Sequence, residues 1–128
     1  YFIGDLMNTP FPDTEFQQIC SLSVIEHEIS YDRFAKEVSR LLKSGGDCFC
    51  SFDYAEPKIK TEGMKLFNLE WNILSKDDVI RLVSEMEKCG LRITSDIDWK
   101  LSEAVINPQY CSPADVSYTF CILHFKKD

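Results

Sequence analysis

This chain of 128 residues lacks the features of two common classes of protein, those that span membranes and those that bind nucleic acids. No apolar run approaches the roughly 20 residues that a membrane-spanning helix needs. Basic residues are scattered and few, 14 against 21 acidic ones, so the net charge is −7. Because nucleic-acid binding depends on clustered lysine and arginine, we expect neither a membrane nor a nucleic-acid partner.

Cysteine pairs with zinc-ligand spacing are also missing. The sequence has six cysteines, but none stands in the C-x2-4-C pairs that structural zinc sites use. Four of the six lie in apolar, strand-like runs. We therefore expect buried, reduced thiols and a cytoplasmic location, with neither a disulfide scaffold nor a metal site.

Two segments have the 3.6-residue apolar spacing of amphipathic helices. The first begins at Tyr31, and the glycine pair Gly45–Gly46 is expected to end it. The second spans Lys76 to Cys89, and Ser75 with Asp78 three residues later has the pattern of a capping box. Both helices are therefore expected to bury one face against a sheet.

Apolar runs predict the strands of that sheet. Cys48 to Phe52 has the composition of a strand buried on both faces, Ile19 to Leu22 is a second, and Tyr1 to Ile3 is the remnant of a third. Leu91 to Trp99 and Ser117 to Phe125 alternate as in two longer strands. This alternation of strands and helices predicts an α/β protein with its ligand site at the carboxyl ends of parallel strands.

Over residues 1 to 54 the sequence resembles a known enzyme family. It has an acidic residue ending a strand, a Pro-Phe-containing segment, a strand ending in a Glu-His loop, and a Leu-Leu-Lys-Ser-Gly-Gly turn. These motifs resemble the middle and C-terminal part of class I S-adenosylmethionine-dependent methyltransferases, especially those that methylate small molecules. They are Gly4–Leu6, Pro10–Phe16, Ser21–His27 and Leu41–Asp47.

The sequence departs from the family in one large respect and three small ones. The glycine-rich G-x-G-x-G turn that holds the methionine part of the cofactor is absent, and the chain begins with Tyr1. Thr9, Gln17 and Ser44 stand where the family has Leu, Asp and Pro. We interpret residues 1–128 as the C-terminal portion of a methyltransferase domain.

The resemblance implies a Rossmann-like methyltransferase sheet with strands three to seven present. Such a sheet is mainly parallel, with an antiparallel last strand and with helices on both faces. Without its first two strands, the sheet would leave an edge open. We therefore expect self-association, or a partner that covers this edge.

The resemblance also implies which residues hold S-adenosylmethionine. Asp5 matches the carboxylate that accepts a hydrogen bond from the adenine amino group, and the backbone N–H of Leu6 matches the contact to a ring nitrogen. Leu22 matches a position whose backbone contacts the methionine end. The alternatives are that Asp5 is a turn residue and that Leu22 is a core residue.

Glu26 and His27 match the Glu-His pair of the family. A histidine here could take a proton from an acceptor hydroxyl, and the carboxylate could orient it. Related RNA-end methyltransferases bind a metal with this pair and two further ligands, but Ser23 stands at one of those positions. The alternative is that His27 bonds the backbone at the entry to the helix.

Four further residues are candidates for contact with the acceptor. Asp53 and Tyr54 follow the central strand at its carboxyl end, where an acceptor or base could act and where a solvated loop is equally possible. Trp71 and Phe67 lie in the long connection to the second helix, which is expected to cover the site. Trp71 could instead anchor a core.

The sequence therefore predicts methyl transfer from S-adenosylmethionine to a small-molecule acceptor by the complete protein, with catalytic roles for His27, Glu26 and Asp53. Residues 1–128 alone are expected to bind the cofactor poorly. The alternative is a catalytically inactive methyltransferase-like domain that acts as a binding or scaffold subunit.

Overall fold

A computed structural model describes residues 3–94, 96–99, 104–108 and 115–128. Two helices and a four-stranded sheet form its body, and a two-stranded hairpin lies in the connection between the central strand and the second helix. In chain order the elements are β1 (Phe16–Leu22), α1 (Tyr31–Leu41), β2 (Leu42–Tyr54), β3 (Lys65–Leu66), β4 (Leu69–Glu70), α2 (Lys76–Lys88), β5 (Leu91–Ile93) and β6 (Thr119–Lys127).

The sheet has the strand order β1-β2-β6-β5. β1 and β2 pair in parallel, as expected of strands joined through a helix. β6 pairs antiparallel with β2 on one side and with β5 on the other. The last strand is therefore antiparallel as predicted, but only one pairing among the described strands is parallel, because β6 separates β2 from β5.

The two helices lie on the same face of the sheet. They contact each other, and their apolar faces pack on the alternate β2 side chains Cys48, Cys50 and Phe52. The prediction of helices on both faces is not met by the described residues. β2 is accordingly buried on one face only, because Phe49 and Ser51 on the other face stay partly exposed.

The face of the sheet away from the helices carries apolar side chains that reach solvent. Leu22 is 64% exposed, Ile122 is 71% exposed and Phe120 is 47% exposed. Their strands are adjacent, since Leu22 is paired with Ser51 and Ser51 with Ile122. These exposed side chains of β1 and β6, on either side of Ser51, form an apolar patch on the described part of this face.

Gly45 and Gly46 do not cap α1, contrary to the sequence-based expectation. The helix ends at Leu41, and both glycines lie in a bulge where the register between β1 and β2 shifts. Gly45 has φ +71°, and a Cβ on Gly46 would lie 2.9 Å from the carbonyl oxygen of Gln17. Glycine is needed here because the strand backbones approach closely.

The second helix matches its prediction. α2 begins at Lys76, and Ser75 and Asp78 form the reciprocal capping box. Asp78 also accepts hydrogen bonds from Lys58 and Arg81, and the pKa of its carboxyl is lowered by these contacts despite burial. Gly90 follows with φ +76° and stops the helix.

Other sequence-based expectations were too broad. β5 is three residues long, whereas Leu91 to Trp99 was predicted as one strand. Most of the strand predicted at Tyr1 to Ile3 lies outside the described residues. Among the described cysteines all five are free; Cys48 and Cys50 are buried, but Cys20 is exposed. No helix among these residues is long and apolar enough to cross a membrane.

Candidate functional site

Glu26, Asp53 and Trp71 meet beyond the carboxyl ends of β1 and β2. Asp53 is the penultimate residue of β2 and is 5% exposed, and its Oδ2 accepts a hydrogen bond of 2.8 Å from Nε1 of Trp71. Glu26 lies in the loop after β1 and is 2% exposed. The alternative that Asp53 lies in a solvated loop is therefore wrong.

Backbone hydrogen bonds hold the segment that carries Trp71 against both carboxyl-bearing residues. The N–H of Asn72 donates to the carbonyl of Glu26, and the N–H of Leu74 donates to the carbonyl of Asp53, each at 2.9 Å. Tyr54 and Leu74 form a parallel bridge. The connection after β2 thus returns between the β1 loop and the end of β2, and it closes the cluster from one side.

The electrostatics of the cluster favour a proton on Glu26. Burial and, secondarily, the charge of Asp53 raise the pKa of Glu26 to about 7, although a hydrogen bond from the backbone opposes the shift. Burial also raises the pKa of Asp53, while Trp71 and His27 oppose that rise. When two carboxyl groups are buried close together, ionisation of one disfavours ionisation of the other, because like charges repel. Glu26 can therefore exchange a proton near neutral pH.

His27 does not bond to Glu26 within the described residues. Its Nδ1 lies 3.3 Å from the carbonyl oxygen of Glu70, and its ring meets that of Phe67 edge to face, with centroids 6.4 Å apart. Phe67 is 89% exposed in the turn of the β3–β4 hairpin. The hairpin therefore covers one side of His27. No group of three or more potential metal ligands occurs among the described residues.

Asp5 and Leu6 lie near the start of α1. The Oδ1 of Asp5 accepts from the N–H of Met7 at 2.8 Å, and its Oδ2 accepts from Arg33 at 2.9 Å. Because Arg33 is in the first turn of α1, Asp5 lies at the same edge of the sheet as the loop of His27. The turn geometry and the exposed ion pair leave an acceptor lone pair accessible to solvent.

Leu6 lines an apolar cavity of about 340 Å³ beside β1, together with Phe16, Phe34 and Ser21. Leu22 points to the opposite face of the sheet and is largely exposed, so the alternative that it is a core leucine is wrong. Ser21 was not singled out from the sequence. Its buried Oγ has no hydrogen-bond partner within the described residues. The feature of the sequence that could have drawn attention to Ser21 is a hydroxyl residue inside an apolar run.

The segment that positions Asp5 and Leu6 is held by an ion pair that the sequence did not reveal. Glu37 on α1 accepts bonds from the N–H and Oγ1 of Thr9, at 2.8 and 2.7 Å. Arg40 bonds to the same Glu37 and to the carbonyls of Thr9 and Phe11. Arg40, above all, lowers the pKa of Glu37 to about 2. Thr9, a departure from the family pattern, is thus a bonded residue of this network.

Trp71 and Tyr54 are both buried. Trp71 packs edge to face on Tyr118 within a second apolar cluster, so the core-anchor alternative holds alongside its bond to Asp53. The hydroxyl of Tyr54 is buried without a partner in the described part of the chain. Any contact of Tyr54 with an acceptor would therefore need movement of its surroundings.

Comparison with known proteins agrees with this geometry. The sequence profile of a family described as a methyltransferase domain matches residues 1–50. No curated protein matches the chain significantly. The family match covers both the Asp5 segment and the loop of Glu26 and His27.

Solved structures share the fold over nearly the whole chain. A sarcosine dimethylglycine methyltransferase, so described, from Galdieria sulphuraria is 16% identical, with a TM-score of 0.63 over 98% of this chain and 58% of that one. Geranyl diphosphate C-methyltransferase from Streptomyces coelicolor, solved with Mg2+, geranyl diphosphate and S-adenosyl-L-homocysteine, is 15% identical, with a TM-score of 0.68 over 99% and 54%.

A Haloferax volcanii methyltransferase, solved in complex with the Trm112 methyltransferase activator, is 15% identical, with a TM-score of 0.64 over 98% of this chain and 59% of that one. The chain therefore spans a little over half the length of these structures. The profile match and the shared architecture confirm the resemblance found in the sequence: this chain has the fold of the class I S-adenosylmethionine-dependent methyltransferases.

Proposed function

We propose that the complete protein transfers a methyl group from S-adenosylmethionine to a small-molecule acceptor. The observation that carries this proposal is the buried cluster of Glu26, Asp53 and Trp71 at the carboxyl ends of the parallel pair β1 and β2. Ligands bind at this edge in open α/β sheets. The neighbours with S-adenosyl-L-homocysteine or sinefungin bound have the same fold.

In this proposal Asp5, Leu6 and Leu22 contact the cofactor. The acceptor is contacted by Glu26, His27, Asp53, Tyr54 and Trp71. Asp5 retains an accessible acceptor oxygen, which suits an exocyclic amine. Because methyl transfer is a direct displacement, the residues mainly align the acceptor and remove its proton. We assign the role of base to Glu26 and not to His27, because Oε2 of Glu26 has no partner among the described residues, whereas Nδ1 of His27 lies against the carbonyl of Glu70.

One observation favours the alternative of a catalytically inactive binding subunit. Both carboxylate oxygens of Asp5 already accept bonds from Met7 and Arg33. While both bonds are made, the adenine amino group must compete with Arg33 and Met7 for this carboxylate. Arg33→Ala separates the two cases, since it should strengthen cofactor binding if the ion pair competes and leave it absent in an inactive subunit.

Isothermal titration of the full-length protein with sinefungin tests the proposal. Saturable binding that weakens at least about tenfold in Asp5→Asn supports it. Glu85→Gln is the control, because Glu85 pairs with Lys88 on α2 and takes no part in the network that positions Asp5 and Leu6. An absence of binding in the full-length protein would overturn the enzymatic proposal and favour the scaffold.

A further inference from the structure

Glu26 carries a buried oxygen that no other described residue satisfies. Its side chain is 2% exposed, yet Oε2 has no hydrogen-bond partner in the described part of the chain. A buried polar atom without a partner costs stability, and more so when it is charged. Such an atom calls for an explanation, and a bound ligand is one.

The nearest charged neighbour of Glu26 makes the place more negative. Asp53 bonds to the neutral indole of Trp71 and faces His27, and its described contacts include no lysine or arginine. The nearby Lys58 is already engaged by Asn72, by the carbonyl of Ile73 and by Asp78. The cluster therefore holds two carboxyls without a lysine or arginine partner in the described residues, and His27 is the basic side chain that faces Asp53.

The surroundings favour a small ligand that enters beside the hairpin. Two backbone bonds hold the segment of Trp71 to the carboxyl-bearing residues, whereas the contacts of the hairpin with His27 among the described residues are the Glu70 carbonyl and the exposed ring of Phe67. Phe67 and Asn68 at its turn both have positive φ. Leu66 anchors the base of the hairpin on the apolar cluster of Trp71, so its exposed turn is the lightly attached part.

We propose that the acceptor is an amine, whose nitrogen is bound between Glu26 and Asp53. This inference rests on the methyltransferase function proposed above and names its substrate class. An ammonium group supplies the positive charge and the donor that the two carboxyls lack. An anionic acceptor such as geranyl diphosphate, which the Streptomyces coelicolor enzyme holds, would add like charge to this place.

The chemistry balances with the groups present. The ammonium gives one proton to the Glu26 carboxylate, which frees the nitrogen lone pair. The nitrogen–carbon bond then forms as the carbon–sulfur bond of the sulfonium breaks, and that electron pair stays on sulfur. Asp53, held by Trp71, keeps its charge beside the methylated ammonium product and stabilises it.

Three probes that share a phenylethyl group test the inference: 2-phenylethylamine, 2-phenylethanol and 3-phenylpropionate. The readout is the indole N–H signal of Trp71 in the NMR spectrum of the full-length protein, assigned by its loss in Trp71→Phe. We expect the amine to shift this signal saturably and to bind at least about tenfold more tightly than the alcohol, while the carboxylate leaves it unmoved.

The variants Glu26→Gln and Glu70→Gln each remove one carboxylate. We expect the first to lose at least about tenfold in amine affinity and the second to bind as the unaltered protein does, because the Glu70 side chain pairs with Lys65. Equal binding of amine and alcohol, or no amine binding, overturns the inference even if Glu26→Gln fails to fold. Sinefungin titration of the same sample reports separately on the proposed function.

Discussion

Trp71 donates its indole N–H to Asp53 across 2.8 Å, and this bond joins the connection after β2 to the strand from which it departs. Both side chains are buried, so the bond replaces water on a carboxylate in a place of low polarity. It also fixes one of the two carboxyls of the candidate site. Trp71 therefore affects both the stability of the cluster and the pKa of Asp53.

Replacing Trp71 with Phe should remove this donor while keeping an aromatic ring. We expect the free energy of unfolding to fall by roughly 1–3 kcal/mol, because the buried carboxylate loses its hydrogen bond. The measurement is urea unfolding at pH 7. Trp99→Phe is the control, since Trp99 is only partly buried and contacts the Tyr54 ring and Lys76. Equal losses in both variants would contradict the role of the bond.

Glu26 should make the protein less stable as pH rises. Its pKa is raised in the folded state from 4.5 to about 7, so the folded protein holds this proton more tightly than the unfolded chain. The stabilising effect of the proton is complete below about pH 4.5 and is lost as pH rises through 7. The pKa of Asp53 is also raised, so Asp53 also makes the protein less stable as pH rises. His27 is the basic side chain that faces Asp53.

We expect Glu26→Gln to gain stability relative to the unaltered protein by about 2 kcal/mol between pH 4.5 and 7.5, allowing for solvent screening. Thermal unfolding across this range measures the difference. Glu70→Gln should show no such trend. A pH-independent difference for Glu26→Gln would mean that the carboxyl is ionised throughout the range.

Glu37 should act in the opposite direction. Its pKa is lowered to about 2 by Arg40 and then by the bonds from Thr9. Its stabilising effect is therefore present above about pH 4.5 and is lost as pH falls towards 2. We expect Glu37→Gln to reduce the free energy of unfolding by roughly 1–2 kcal/mol at pH 7 and by less at pH 3. Glu85→Gln is a surface control, since Glu85 pairs with exposed Lys88.

Ser75→Ala tests the capping box of α2. The hydroxyl accepts from the N–H of Asp78 and donates to its carboxylate, so its loss leaves a helix donor without its cap. We expect a loss of about 1 kcal/mol in the free energy of unfolding. Ser30→Ala is the matched comparison, because the Ser30 side chain makes no capping bond to α1 and its loss should cost less.

The apolar patch on the face opposite the helices should cause self-association of residues 1–128. Ile122 is the most exposed of its side chains, so Ile122→Lys should reduce association without loss of stability. Analytical ultracentrifugation over a range of concentrations measures this. Lys126→Ile on the same strand should have the opposite effect. A chain that stays monomeric before substitution would remove the need for a covering partner.

Local patterns predicted the local features well. The capping box of α2 and the glycine after it depend on residues within a few positions of each other, and both match. The Glu37–Arg40 pair has the same spacing as many surface pairs, so only the fold reveals that Thr9 completes it. Gly45 and Gly46 follow a helix in sequence, but Gly46 accommodates the backbone of Gln17 on the neighbouring strand and Gly45 supplies a positive φ.

The sequence predicted where in the sheet the candidate site lies, but not how its side chains contact one another. Its position followed from strand ends, because ligands bind there in α/β sheets. The bond from Trp71 to Asp53 spans 18 residues, and the raised pKa of Glu26 depends on burial. Neither leaves a mark on residue spacing, so sequence patterns could not supply them.

The position of β6 makes this sheet depend on a strand that is distant in sequence from both of its neighbours. β6 follows the other described strands along the chain, yet it lies between β2 and β5, and β5 pairs with it alone among the described strands. A chain that ended before residue 119 would leave one edge of β2 open and Leu91–Ile93 without the strand it pairs with. A stop codon there should therefore yield a product that proteases degrade, even though both helices and the candidate site have already been translated.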